Sequence, residues 1–274
     1  MLKPAPRLLV VAGHDPGGAG VDADRDALAD LPVDARFVVS AWTEQDDAGV
    51  HALGARGSRS WLAEARRELP VAALKFGLLP GAADIRAAAG LVREARAAHQ
   101  AGEAAREANA ALGVPSCTFW VVADPVLASS SGGRFLDRES AREYLRELLP
   151  TGVVLTPNLD ELAELAGAGR ELVGRDLAAR EAAARTLLEL GAAAIVVKGG
   201  HGEEDPALDL VLERSGAPRW LEHARIHGGK VRGSGCRFAS RLAAWLALGA
   251  SLEKAAREAS EHVLGRIRQA AGGA

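Results

Sequence analysis

The sequence predicts an α/β protein built on a mainly parallel sheet flanked by helices. Short apolar runs recur along the 274 residues, helical patterns alternate with them, and the runs are almost continuously apolar. Continuous apolarity marks strands covered on both faces, and strand–helix alternation marks parallel strands joined by helical crossovers.

The strand candidates are RLLVVAG (7–13), ARFVVSAW (35–42), AALKFG (72–77), FWVVADPV (119–126), GVVLTPN (152–158) and AAAIVVKGG (192–200). Helical periodicity covers 58–68, 82–111, 139–148, 159–166, 177–190, 236–248 and 251–270. Within 82–111 the Ala/Arg/Glu-rich stretch from 86 reads as one long amphipathic helix, or as two broken near HQAG. Residues 206–225 read instead as a hairpin turning at ERSGAP. No linker rich in Pro, Gly or Ser divides the chain and no internal repeat is found, so the expectation is one domain over 1–274.

Composition narrows the class. Hydrophobic residues are 48% and charged residues 25%, ordinary for a globular protein. A net charge of −3 gives no electrostatic footprint for nucleic acid or an anionic membrane. No apolar run reaches the length of a membrane span, and the N-terminus reads as a first buried strand rather than a signal peptide. Cys117 and Cys236 cannot form a disulfide framework, and the expected location is cytoplasmic.

Ligands of open parallel sheets collect beyond the carboxyl ends of the strands. After the first run comes GHDPGGAGVDAD (13–24), whose glycines allow a tight turn and close ligand approach, with a helix expected to begin near Gly18. Its spacing fits neither familiar nucleotide fingerprint. Asp124 stands at the exit of the fourth run. In TPNLDELAEL, Asn158 and Glu161 put an amide oxygen and a carboxylate on one side of a helix start. That pair suits a hydrated Mg²⁺, and equally suits a simple capping box. Lys198 precedes a glycine pair in VKGGHG. Finally, GSGC (233–236) forms the first turn of a helix, where free amides and the dipole make an anion site. A thiol at that position is expected to have a lowered pKa, against the alternative of a small apolar core residue.

Taken in order, AGHDPGGAGVDAD, KFGLLP, DPVLASSSG, TPNLDELAEL, VKGGH and GSGCRFASRLAAWLALGASLEKA resemble the hydroxymethylpyrimidine/phosphomethylpyrimidine kinases of thiamine biosynthesis, within the ribokinase-like superfamily. The resemblance spans almost the whole chain apart from 86–117. It implies a three-layer α/β/α fold, ATP and Mg²⁺, and transfer of phosphate to 4-amino-5-hydroxymethyl-2-methylpyrimidine and then to its monophosphate. It places the acceptor at Gly13, Asp15, Gly18, Ala19, Gly20, Asp24, Gln45 and Leu78, with Gln45 reading the aminopyrimidine edge. It places the nucleotide at Thr156, Asn158, Lys198, Gly199 and Gly200, and Mg²⁺ at Asp124, Asn158 and Glu161. Gly233, Ser234, Gly235 and Cys236 would cradle the transferred phosphoryl group, with Cys236 beside the attacking hydroxyl. A homodimer is implied by habit of the superfamily. The chain departs from the family pattern at Asp22, in QDD (45–47), and at Arg232 and Arg237, two added arginines beside the anion site that either strengthen phosphate binding or mark a changed acceptor. Pyridoxal kinase and a catalytically weak pyrimidine-binding relative are the alternatives.

Overall fold

The computed structural model describes residues 4–46, 49–107, 118–128, 133–226 and 231–272. They form one ten-stranded sheet with helices on both faces. Its strands are β1 (Arg7–Asp15), β2 (Ala19–Gly20), β3 (Asp34–Asp46), β4 (Gly49–Ala55), β5 (Ala73–Phe76), β6 (Trp120–Ala123), β7 (Val154–Leu155), β8 (Ala194–Val197), β9 (Ala207–Glu213) and β10 (Arg219–His223). The spatial order is β10-β9-β8-β7-β6-β5-β1-β3-β4, and β2 pairs with β1 off this path. Every pairing from β8 across to β3 is parallel, while β9, β10 and β4 are antiparallel additions at the edges.

The strand order reverses at β1: the chain steps from β1 to β3 on one side, then crosses to β5 on the other. Right-handed crossovers running in opposite directions put their helices on opposite faces. Accordingly α1 (Val21–Leu28) lies on one face with α8 (Ser234–Ala247) and α9 (Leu252–Gly272). The other face carries α2 (Ser58–Arg67), α3 (Ala82–Glu107), α4 (Arg138–Glu143), α5 (Leu159–Ala166), α6 (Arg170–Arg175) and α7 (Leu177–Glu189). Strand alternation divides the core between them. Leu8, Val10 and Ala12 of β1 pack with Val21, Phe238 and Leu242, whereas Leu9 and Val11 pack with Trp61, Ile85 and Leu91.

Each apolar run of the sequence holds a strand, the hairpin is β9–β10, and the fold is the expected three-layer α/β/α arrangement. Several details differ. Helix α1 does not begin near Gly18. The chain first turns at 16–18, Gly18 N–H donating to Asp15 O at 3.0 Å, and bridges back through β2 onto His14 and Asp15. Gly20 explains the detour: its φ is +61°, and a Cβ there would stand 2.0 Å from Gly13 O, so the backbones touch where only glycine fits. Helix α3 runs unbroken through HQAG as far as Glu107, and 108–111 lie outside the described residues. The 139–148 pattern splits into α4 and a π turn over Tyr144–Leu148. Strand β4 and helix α6 had no counterpart in the periodicity. The β4 sequence GVHALGA is poor in β-formers and is held by its long antiparallel pairing with β3.

Candidate active site

The carboxyl ends of β1, β5, β6, β7 and β8 converge on the first turn of α8. Gly233 is its N-cap with φ +72°, and a Cβ there would meet Ala23 Cβ at 2.8 Å, so the turn demands glycine both for conformation and for space. A Cβ on Gly235 would stand 3.2 Å from Lys198 Nζ and 3.5 Å from Asp124 Oδ2. The turn therefore sits beside a cation and a carboxylate carried by the sheet. Free amides at a helix start with a cation nearby make a site for an anion such as a phosphoryl group.

Asp124, just beyond β6, is buried; its Oδ1 accepts from Lys198 Nζ at 2.7 Å and from Thr156 Oγ1 at 3.1 Å. Lys198 follows β8, its own N–H donating to Pro157 O at 2.9 Å and its backbone bridging Asn158. Glu161 and Asn158 form a complete capping box: Asn158 Oδ1 accepts from Glu161 N at 2.9 Å, and Glu161 Oε2 accepts from Asn158 N at 2.8 Å. The cap is real, yet it does not exhaust Glu161. Burial pushes its carboxyl up to about 8, with Lys198 opposing and Asp124 adding to the rise. Burial also acts to lower the Lys198 pKa, but Asp124 and Glu161 carry it above the ordinary lysine value.

A Glu161 carboxyl pushed up by burial would be favoured as a carboxylate by further positive charge beside it, which is what a divalent cation would supply. Among the described residues no group of three or more His, Cys, Asp or Glu can hold a metal unaided. That donor set suits Mg²⁺, which keeps waters and substrate phosphates as ligands and needs only one or two carboxylates.

On the other side of α8 the residues sit differently from the sequence expectation. Asp24 is not in the glycine-rich turn; it lies in the first turn of α1, fully buried. Its Oδ1 accepts from Lys75 Nζ at 2.8 Å and from Ser240 Oγ at 2.7 Å, while Oδ2 is buried without a hydrogen-bond partner. Asp24 is thus tied to β5 through Lys75 and to α8 through Ser240. Gly13 and Leu78 are in contact, a Cβ on Gly13 falling 3.0 Å from Leu78 Cδ2, and Leu78 packs with Ala41, Phe135 and Val126. Ser40 Oγ donates to Leu78 O at 2.5 Å and fixes that wall. Ala19 and Gly20 form β2, Asp15 ends β1, and Gly18 closes the turn between them. The backbone of Gln45 is in β3 opposite Val50; its side chain, like the whole of Cys117, lies outside the described residues.

Cys236 departs from its expected acidity. Burial pushes its thiol up to about 11; Lys75 opposes this, Asp24 and Asp124 reinforce it, and the Gly20 amide facing the sulfur opposes it again. The helix start is outweighed, because burial, reinforced by the Asp24 and Asp124 carboxylates, disfavours the thiolate. The two arginines beside the cradle are both paired to carboxylates. Arg237 Nε donates to Asp26 Oδ2 at 3.1 Å and its Nη1 to Arg232 O at 2.6 Å, while Arg232 pairs with Asp15 at 3.4 Å.

The chain matches known proteins over nearly its full length. The family model for phosphomethylpyrimidine kinase matches residues 103–272. A hydroxymethylpyrimidine/phosphomethylpyrimidine kinase of Streptomyces coelicolor is 33% identical over 96% of this chain and 88% of its own. The chain belongs to the hydroxymethylpyrimidine/phosphomethylpyrimidine kinase family. A second member, from Rhizobium meliloti, is 32% identical over 96% of this chain and 90% of its own. Among solved structures, the Bacillus subtilis pyridoxal kinase in complex with ADP superposes with TM-score 0.76 at 25% identity, covering 94% of this chain and 89% of that one. The phosphomethylpyrimidine kinase of Clostridium difficile shares the fold, with TM-score 0.73 at 20% identity over 96% and 99%.

Within this kinase, sequence reasoning missed Lys75, Ser240 and Asp209. Lys75 is fully buried; burial acts to lower its pKa, but Asp24, Cys236 and Asp124 raise it above the ordinary value. A lysine inside the apolar strand ALKF was the available signal, since a buried charge needs partners. Asp209 Oδ1 accepts from Gly199 N at 2.7 Å and its Oδ2 from Ser260 Oγ at 2.6 Å, which fixes the backbone beside Lys198. Arg225 donates to the carbonyl of Gly200 at 2.9 Å and orders the same loop. Nothing local in the sequence marks these contacts, which join residues far apart in the chain.

Proposed function

We propose that the whole chain, residues 1–274, is a single kinase domain. In this reading it uses ATP and Mg²⁺ to phosphorylate 4-amino-5-hydroxymethyl-2-methylpyrimidine, its monophosphate, or both. The observation that carries this reading is the first turn of α8 packed so closely on the Lys198–Asp124 pair that a Cβ added at Gly235 would stand 3.2 Å from the Lys198 ammonium. Membership of a family whose relatives bear that activity in their names supports the choice of acceptor.

The chain's own groups divide the work. Lys198, Gly199, Gly200, Thr156 and Asn158 take the nucleotide. Asp124, Asn158 and Glu161 would hold Mg²⁺, which would offset the charge of the phosphates. The amides of Gly233, Ser234, Gly235 and Cys236 stabilise the charge developing on the transferred group, preorganised and at no reorganisation cost. Acceptor binding falls to Gly13, Asp15, Gly18, Ala19, Gly20, Gln45 and Leu78, with Asp24 tied to Lys75 and Ser240. The Cys236 thiol orients the attacking hydroxyl; with its pKa pushed up to about 11 it is protonated in the free enzyme at neutral pH. A dissociative transfer needs little base assistance, since the hydroxyl proton leaves late.

Pyridoxal kinase is the second reading, supported by the superposition on the Bacillus subtilis enzyme. The higher identity to the pyrimidine kinases ranks it second. A homodimer is the proposed assembly, supported by Trp42 (49% exposed) and Leu53 (39% exposed) on the edge hairpin β3–β4, apolar surface a second copy would cover. No helix among the described residues is long and apolar enough to cross a membrane, and the cytoplasm is the proposed location. Incubation with ATP–Mg²⁺ and the pyrimidine alcohol, read by mass spectrometry, should yield its phosphomonoester. Absence of phosphorylated product from both the alcohol and its monophosphate would overturn the reading.

A further inference from the structure

The glycine-rich turn and the start of α8 are separated by more than two hundred residues yet joined by one side chain. Arg232 Nη1 lies 3.4 Å from Asp15 Oδ2, and Asp15 is buried. The same guanidinium covers Gly17, where an added Cβ would fall 2.4 Å from Nη1 and 3.1 Å from Asp15 Oδ2. The backbone of Arg232 is held from the opposite side: its carbonyl accepts from Arg237 Nη1 at 2.6 Å. Arg237 is in turn bound by Asp26 of α1 at 3.1 Å, and Asp26 also receives Arg266 of α9. Both guanidinium groups therefore face carboxylates. A guanidinium paired to a carboxylate adds little net field to a neighbouring anion site, so its effect there is geometric.

We infer that Arg232 is a positioning residue for phosphoryl transfer, which ties the turn at 15–18 to the turn that opens α8. The acceptor side of the site and the amide cradle are then fixed relative to one another by Asp15–Arg232 on one flank and Arg237–Asp26 on the other. This inference rests on the proposed function for which side receives the acceptor. Small misplacements of reacting groups lower rates by up to about a hundredfold, so a tie of this kind acts on turnover rather than on folding.

Gly17 supplies the discriminating variant. Its φ is not in the positive range, and the tightest atom against an added methyl is the end of a flexible arginine. Gly17→Ala should therefore dislodge Arg232 from Asp15 while the fold stands, and Arg232→Gln removes the same tie from the other end. Each variant should lower kcat/KM for the acceptor about ten- to a hundredfold, with KM for ATP unchanged. The double variant should fall no further than either single one, the mark of one shared interaction. Amide hydrogen exchange across 13–20 should rise equally in both, a readout that needs no turnover. Wild-type kinetics and exchange in Gly17→Ala, or additive losses in the double variant, would overturn the inference. A rise in KM for ATP confined to Arg232→Gln would also overturn it and make Arg232 a nucleotide-phosphate contact. If the unmodified enzyme phosphorylates none of the acceptors, the functional reading fails while the exchange measurement still decides whether the tie exists.

Discussion

At Cys236 the amides of a helix start and the carboxylates of Asp24 and Asp124 act in opposite directions, and burial decides between them. At pH 7 its alkylation, followed on the peptide by mass spectrometry, should be slower than that of a free thiol with pKa about 8.5. The rate should keep climbing as pH rises towards 11; a plateau below pH 8 would mean the thiolate is favoured after all. Cys236→Ser should keep ATP binding and lose no more than about tenfold in kcat, whereas loss of a true general base removes about 10²–10⁴-fold. Lys75 makes a sharper case. Removing one partner of a buried ion pair costs about 3–5 kcal/mol, so Lys75→Met should lower unfolding stability by that order. Lys75→Met with Asp24→Asn should recover most of the loss, and failure to recover would show that Lys75 does more than neutralise Asp24. The sequence displayed Asp124, Lys198 and the GSGC turn because each directly follows a strand or opens a helix. It hid the acidity of Cys236 and the place of Asp24, because both depend on what α1 and β5 bring from elsewhere.

Helix α5 and the loop after β8 carry their function at their ends. The Asn158–Glu161 capping box is complete, so Glu161→Gln should leave Tm nearly unchanged, since glutamine can also occupy that box position. Its activity should need more Mg²⁺; an unchanged Mg²⁺ titration with a Tm several degrees lower would reduce Glu161 to a cap. Asp209, which holds the Gly199 amide, also lies 3.2 Å from His223 Nε2 and raises the His223 pKa above the ordinary histidine value of 6.5. A raised folded pKa means that protonated His223 contributes stability below 6.5 and that this is lost as pH rises through the folded value. Tm should therefore decline over that interval in the native chain and decline less in His223→Gln. Equal slopes would remove His223 from the loop's support. At this scale α5 and its cap were legible because Asn, Glu and an apolar stripe are local signals. Strand β4 was not, since a strand in which Gly and Ala make up most positions is held chiefly by its partner.

Across the whole molecule, the alternation of apolar runs and helices made the parallel core legible, and the position of the site followed from it. Strand order was not legible: the step from β3 back across β1 to β5 is a long-range pairing that leaves no periodic trace. That crossing matters for function, because it brings β1 and β5, with Lys75, beside the strands that carry Asp124 and Lys198. ATP consumption measured with the hydroxymethylpyrimidine, its monophosphate and pyridoxal tests whether this convergence transfers phosphate from ATP to a pyrimidine alcohol. Here kcat/KM for at least one of the two pyrimidines should exceed that for pyridoxal. Turnover confined to pyridoxal, or no acceptor-dependent consumption at all, would contradict it.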